Sequence, residues 1–314
     1  MSTQLYLGID MGGTNIKIAV VNHKGEIIEE TSIKTEIKQS PMNVIQSVIK
    51  RASALKNYAK TKNTGIGVAG DINCDNGVVR FSPNLPKWKN VKLKEIMEKL
   101  TGKKVIVDND ANTAAIGAFW LDAKGKPDNL ICVTLGTGVG GGLIFNKKLY
   151  RGASCTAGEI GHITIDYNGR KCKCGNSGCS ETYIGAKYVS EYAKNYLNKH
   201  RSAIIDRMTG KNYSLITPEI LHDAAVKGDN SAIEIWRYVG EKLGIILAGV
   251  LNFANPDMII LCGGISHAGK FLTGPAKKEI KERAFKSAVK ACKIKISRYT
   301  SKLGVVGAAM LANQ

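Results

Sequence analysis

Residues 159–181 read EIGHITIDYNGRKCKCGNSGCSE, and in this run His162 is followed by Cys172, Cys174 and Cys179. One imidazole and three thiols so close in sequence suffice for a tetrahedral zinc site. Gly175 and Gly178 permit the tight turns that bring three sulfurs onto one ion. Four protein ligands fill the coordination sphere, so the expected Zn2+ is structural and leaves no position for a reacting water. Its expected task is to fix the backbone and aim His162, Glu159 and Glu181 at a ligand. Disulfide bonding and plain surface thiols are the other readings. The spacing is odd for a disulfide framework, and no secretory signal is expected at the start of the chain.

Working outward, 314 residues suit about two domains. An apolar fraction of 44% is that of an ordinary globular protein. No apolar run reaches the length of a membrane span, so no membrane is expected and the cytoplasm is the expected compartment. Cys132 and Cys262 lie in apolar strands and read as buried reduced thiols. The net charge of +19 asks for a partner or an explanation. Only nine of the 45 basic residues are arginine, and residues 277–302 carry ten of the basic residues against Glu279 and Glu282. Base readers favour arginine and interleaved aromatics, so the region reads as a solvated lysine face and no specific nucleic acid is expected. The same field would attract an anionic nucleotide.

The chain opens as a β-meander over residues 5–35, and its first turn is Gly12-Gly13-Thr14. Glycines let backbone N–H groups approach a phosphate, and Thr14 adds a hydroxyl. Asp10 ends the first strand, placed to hold Mg2+ directly or through water. Lys17 is a further charge near that turn. A strand over 105–107 runs into Asp108-Asn109-Asp110, followed by a helix over 113–120. Ligands of open α/β sheets bind at that end of a strand. Asp110 therefore reads either as a general base or as a helix cap, and Asp108 competes for the base role. A second strand over 130–135 meets Gly136-Thr137-Gly138, which repeats the opening pattern. The run also satisfies G-x-G-x-x-G, but a β-hairpin, not a helix, is predicted next, which argues against a dinucleotide fold. Gly263 and Gly264 follow a buried strand over 258–262 and read as a flat surface for a base or ribose, or as a plain strand-to-helix turn. A basic helix is predicted over 275–289, with Pro275 at its start. A small-residue helix is predicted over 303–312.

Taken together, E-I-G-H, C-K-C-G-N-S-G-C-S-E, D-M-G-G-T, N-D-A-N and L-G-T-G-V-G-G-G resemble, in order, the motifs of the ROK family. Ala69-Gly70 stands where many relatives have Pro-Gly. The resemblance spans nearly the whole chain and is strongest to the family's glucokinases. It implies a two-domain actin-like ATPase fold of the α/β, ribonuclease H-like kind, with a zinc-binding loop. The implied division is 1–118, then 119–300 with the zinc motif, then 301–314 as a helix returning to the first domain. It also implies ATP-dependent phosphorylation of a hexose at the C6 hydroxyl, with glucose expected and an N-acetylated amino sugar or fructose as alternatives. By resemblance Asp110 is the base, and Asn84, Asn109, Glu159, His162 and Glu181 hold the sugar. His162 would then use one ring nitrogen on zinc and the other towards sugar. Gly12, Gly13, Thr14, Gly136, Thr137 and Gly138 face the ATP phosphates, and Gly263 and Gly264 face adenosine. Domain closure would bring sugar and γ-phosphate together. A homodimer is the family expectation. Sugar-responsive repressors share this domain, but the first strand is expected from residue 5, without room for a helix-turn-helix.

Overall fold

The structure, a computed structural model, describes residues 4–313. Its contacts separate two units. Unit 1 comprises the described parts of Met1–Cys132, Gly142–Gly158 and Ser297–Gln314; unit 2 comprises Val133–Gly141 and Glu159–Ile296. The sequence division at 118/119 differs from this, because residues 119–132 and 142–158 fall within unit 1.

Three strands open the chain: β1 (Leu5–Met11), β2 (Asn15–Asn22) and β3 (Ile27–Lys34). They pair antiparallel, as the meander requires. Helix α1 (Pro41–Ser53) starts at Ser40, whose side chain accepts from the Asn43 amide, with proline at the first helical position where its missing N–H costs nothing. Strand β4 (Thr61–Val68) follows, then the small strands β5 (Asp71–Asn73), β6 (Val78–Phe81) and β7 (Lys89–Val91). Helix α2 (Leu93–Thr101) ends at left-handed Gly102, and β8 (Lys104–Asn109) runs into α3 (Asp110–Leu121). The sheet order is β3-β2-β1-β4-β8, with β4 parallel to β1 and to β8. Its central strands share one apolar face: Leu7, Ile9, Ile18, Val20, Ile66 and Val107 are register partners or alternate residues, all buried in one core.

The chain continues as β9 (Leu130–Leu135), β10 (Val139–Phe145) and β11 (Lys148–Tyr150). The last two form the antiparallel hairpin that the sequence predicts. Asn146 and Lys147 both have positive φ at its tip, as a two-residue turn of matching twist needs. No helix follows the glycine run, so the dinucleotide pattern has no structural counterpart. Next come α4 (Glu181–Ile184) and α5 (Ala186–Leu197), which Gly185 separates. Helices α6 (Ala203–Thr209), α7 (Pro218–Val226) and α8 (Asn230–Ala254) lead to β12 (Met258–Cys262). Helix α9 (Lys270–Arg283) contains Pro275 in its interior, so the basic stretch is longer than predicted and is divided from α10 (Lys286–Ala291) by a break. Strand β13 (Lys293–Ile296) and helix α11 (Leu303–Leu311) end the fold. The second large sheet has the order β11-β10-β9-β12-β13. Both large sheets thus follow one order, third-second-first-fourth-fifth, which is the internal repeat expected from the two glycine–threonine turns.

Helix α11 explains its own composition. Its residues are almost all buried, and it packs on α3, β1 and β4 of unit 1. A side chain on Gly307 would place its Cβ 1.6 Å from the Thr113 carbonyl oxygen, so α11 and α3 meet backbone to backbone. Only small residues allow that approach.

Candidate active site

In unit 1, the turn after β1 is braced from one side. The Thr35 hydroxyl donates to the Gly12 carbonyl at 2.7 Å, and the Thr35 amide donates to the Thr14 carbonyl at 2.9 Å. Asn84 lies against the same turn: a Cβ on Gly13 would sit 3.1 Å from that of Asn84. Burial pushes the Asp10 carboxyl up to about 6; neighbouring Asp110 adds to the rise and Lys17 opposes it. The Lys17 ammonium donates to the Ser301 carbonyl at 2.6 Å. The lysine expected as a phosphate charge is therefore engaged at the approach to α11.

The junction of β8 and α3 bears on both readings of Asp110. Asn109 caps the helix: its Oδ1 accepts from the amides of Ala111 and Asn112, and its Nδ2 donates to the Gly70 carbonyl at 3.0 Å. Asp110 is the first helical residue. Burial pushes its carboxyl above the ordinary carboxylate range, with backbone N–H groups at the start of α3 opposing the rise. Asp108, the competing base, is spoken for. Its Oδ1 accepts from the Asn109 amide at 2.8 Å and from Asn112 Nδ2 at 2.7 Å, and its Oδ2 accepts from Arg151 Nε at 2.7 Å.

In unit 2, Gly136, Thr137 and Gly138 form the turn between β9 and β10, closed by the Gly136 amide on the Gly138 carbonyl. The Val139 amide at its end donates to Glu181 Oε2 at 2.9 Å. Gly263, with φ of +94°, leads from β12 into a short 3-10 helix over Gly264–Ala268. Gly263 and Gly264 are thus a strand-to-helix turn, and a Cβ on Gly264 would meet nothing within 4 Å.

The zinc stretch closes on itself. Thr164 bridges Cys179, and Lys171 bridges Ser177. Gly178 has φ of +71°, and a Cβ there would fall 1.6 Å from the Asp166 carbonyl oxygen, so only glycine fits. His162 Nδ1 lies 3.8 Å from Cys172 Sγ, and Cys174 Sγ lies 3.6 Å from Cys179 Sγ. All four ligand atoms lie within 4.8 Å of one another. A tetrahedron with Zn–S bonds of about 2.3 Å has edges of about 3.8 Å, so these donors fit zinc. The sulfur separation is far from a disulfide bond. Burial pushes the Cys179 thiol up to about 12, and Cys174 and Cys172 add to it, an environment that a divalent cation would relieve. With Nδ1 facing the sulfurs, His162 turns Nε2 towards Glu159, whose Oε2 is 3.9 Å away.

Two features of unit 1 were not anticipated. Cys74 and Cys155, 81 positions apart, form a disulfide. Cys155 has φ of +66°, unusual for a residue with a side chain. Arg151, which holds Asp108, carried no motif at all. Cys132 and Cys262 are buried, as expected.

Two sheets of one strand order, each opening on a glycine–threonine turn, define a mixed α/β protein of the actin-like ATPase class. Residues 6–314 match the ROK family, and the chain belongs to that family. It is 32% identical to a glucokinase of Thermotoga maritima, over 98% of this chain and 97% of that one. It is also 32% identical to a xylose repressor of Caldicellulosiruptor bescii, over 96% of this chain and 76% of the repressor. Among solved structures, a ROK family glucokinase from Streptomyces griseus in complex with glucose and AMPPNP is similar with a TM-score of 0.85 and 31% identity, over 99% of each chain.

Proposed function

We propose that this protein is an ATP-dependent hexokinase that phosphorylates the C6 hydroxyl of glucose, with Asp110 as general base. The observation that supports the proposal is the division of labour at the β8–α3 junction: Asn109 supplies the N-cap, so the Asp110 carboxylate, at the first helical position, is not needed for that role. A buried carboxylate with a raised pKa is a better proton acceptor than a solvated one. Asn84 and Asn109 in unit 1, and Glu159, His162 and Glu181 in unit 2, would pair with the remaining sugar hydroxyls. A site built to pair each hydroxyl rejects a sugar lacking one.

Phosphoryl transfer depends on alignment and charge neutralisation more than on covalent help. Gly12, Gly13 and Thr14, and Gly136, Thr137 and Gly138, would offer N–H groups and hydroxyls to the phosphates; Gly263 and Gly264 would offer open backbone to adenosine. Asp10 would hold Mg2+, which neutralises phosphate charge when bound. His162, Cys172, Cys174 and Cys179 would hold a structural Zn2+ that stiffens the backbone carrying Glu159 and Glu181. A homodimer in the cytoplasm completes the proposal.

The xylose repressor relative supports a second reading, a sugar-responsive regulator. A coupled ADP-release assay over glucose, N-acetylglucosamine, N-acetylmannosamine, fructose and xylose separates the two. Turnover with glucose supports the kinase. Sugar binding without ADP release supports the regulator.

A further inference from the structure

Asp108 is 1% exposed, yet it carries a carboxylate two residues before Asp110. Three donors converge on it, and two are local: the Asn109 amide and the Asn112 side chain, both within the same strand-to-helix turn. The third is Arg151, which arrives from a segment 43 residues further on, after β11. Its ion pair with Asp108 has side-chain exposures of 28% and 2%. A mostly buried ion pair returns little stability, because desolvation cancels most of its Coulomb gain. What it does supply is geometry. Asp108 holds Asn109 and Asn112; Asn109 caps α3 and ties Gly70; and Asp110 sits at the first position of that helix. The Arg151 carbonyl also accepts from the Ala157 amide at 3.0 Å, so the arginine is itself held in a closed loop.

We propose that Arg151 is a positioning residue for phosphoryl transfer: by clamping Asp108 it fixes the turn that aims the Asp110 carboxylate. The proposal rests on Asp110 being the base. Arg151 touches neither sugar nor nucleotide in this scheme and acts through Asp108 alone. Asp108 also holds Asn109, so its release touches one sugar contact as well, but the larger effect falls on the chemical step.

The test compares steady-state kinetics of Arg151→Met, Arg151→Lys, Asp108→Asn and the double variant Arg151→Met/Asp108→Asn. Arg151→Met leaves a buried carboxylate without its cation, and kcat is expected to fall about 10- to 100-fold, the scale of a misplaced catalytic group, with a smaller rise in KM for glucose through Asn109 and KM for ATP moving less than about threefold. The double variant replaces the unpaired carboxylate with a neutral amide that still accepts from Asn109 and Asn112. It is expected to recover most of the lost kcat, and Arg151→Lys part of it. An unchanged kcat in Arg151→Met, a loss confined to KM, or a double variant as slow as Arg151→Met overturns the proposal. If Arg151→Met does not fold, the lysine and double variants carry the comparison; failure of all three to fold makes the pair purely structural and overturns it too. Asp110→Asn in the same assay keeps the two ideas apart. A variant that retains more than a tenth of the rate removes Asp110 as base whatever Arg151 does. If Asp110→Asn is inactive as expected, adding Arg151→Met should slow the residual rate no further; an additional tenfold loss overturns the positioning role alone.

Discussion

Glu181 Oε2 accepts a hydrogen bond from the Val139 amide at 2.9 Å, joining the first residue of α4 to the end of the Gly136–Gly138 turn. The glutamate that ends the zinc stretch is thus also a brace for the second glycine–threonine turn. One carboxylate oxygen serves the protein, and the proposal gives the residue a sugar hydroxyl as well.

That double duty predicts a separable pair of variants. Glu181→Gln keeps an oxygen for the Val139 amide but loses the charge. It should raise KM for glucose about 10-fold or more, the cost of a charge-assisted hydrogen bond, with KM for ATP little changed. Glu181→Ala loses the brace too and should raise both. Equal behaviour of the two variants would remove the brace from the account.

The sulfur cluster predicts a metal-dependent sugar affinity. Purified protein should contain about one zinc per chain, the complement of a four-ligand structural site. Cys174→Ala should lose that zinc and raise KM for glucose about 10-fold or more, as weakened metal-site support does elsewhere. A zinc-free variant with normal glucose affinity would refute the scaffold role.

Asp10 predicts a pH dependence of stability. Its folded pKa, about 6, lies above the unfolded 3.8, so the folded state holds the proton more tightly. Its favourable contribution is complete below the unfolded value and is lost as pH rises towards 6. Relative to Asp10→Asn, the wild type should lose about 1–3 kcal/mol between pH 4 and pH 7. Denaturant midpoints of both proteins, measured without nucleotide or divalent metal, check this. A parallel pH dependence of the two would contradict it.

The disulfide predicts a thiol count and a stability difference. Denatured, unreduced protein should expose two fewer reactive thiols than its reduced form. The bridge spans a sequence separation of 81, and closing a loop of that order stabilises by about 2–4 kcal/mol. A Cys74→Ser/Cys155→Ser variant should unfold at correspondingly lower denaturant. Equal thiol counts before and after reduction would exclude the bridge.

What could be read in the chain, and what could not, follows from sequence separation. The candidate zinc ligands sit close together in sequence, and glycines at Gly175 and Gly178 advertise the turns they make. The repeated glycine–threonine turns and the 143–150 hairpin were likewise local signals. Arg151–Asp108, Glu181–Val139 and Cys74–Cys155 join residues 42 to 81 positions apart. Each partner has an adequate local explanation, so nothing in the linear pattern asks for the other. Asp110 shows the same limit: capping and catalysis both suit an aspartate there, and the linear pattern does not tell that Asn109 takes the cap. Pro275 misled because proline commonly starts a helix, whereas here α9 carries it within the helix.

The most direct measurement is ADP release with glucose by the wild-type protein and by Asp110→Asn, followed across pH. The account predicts glucose-dependent turnover in the wild type. Its kcat/KM should fall on acidification through a value above the ordinary carboxylate range, about 4, and Asp110→Asn should keep less than a tenth of the rate. Turnover by Asp110→Asn at more than a tenth of the wild-type rate, or no ADP release by the wild type, would contradict it.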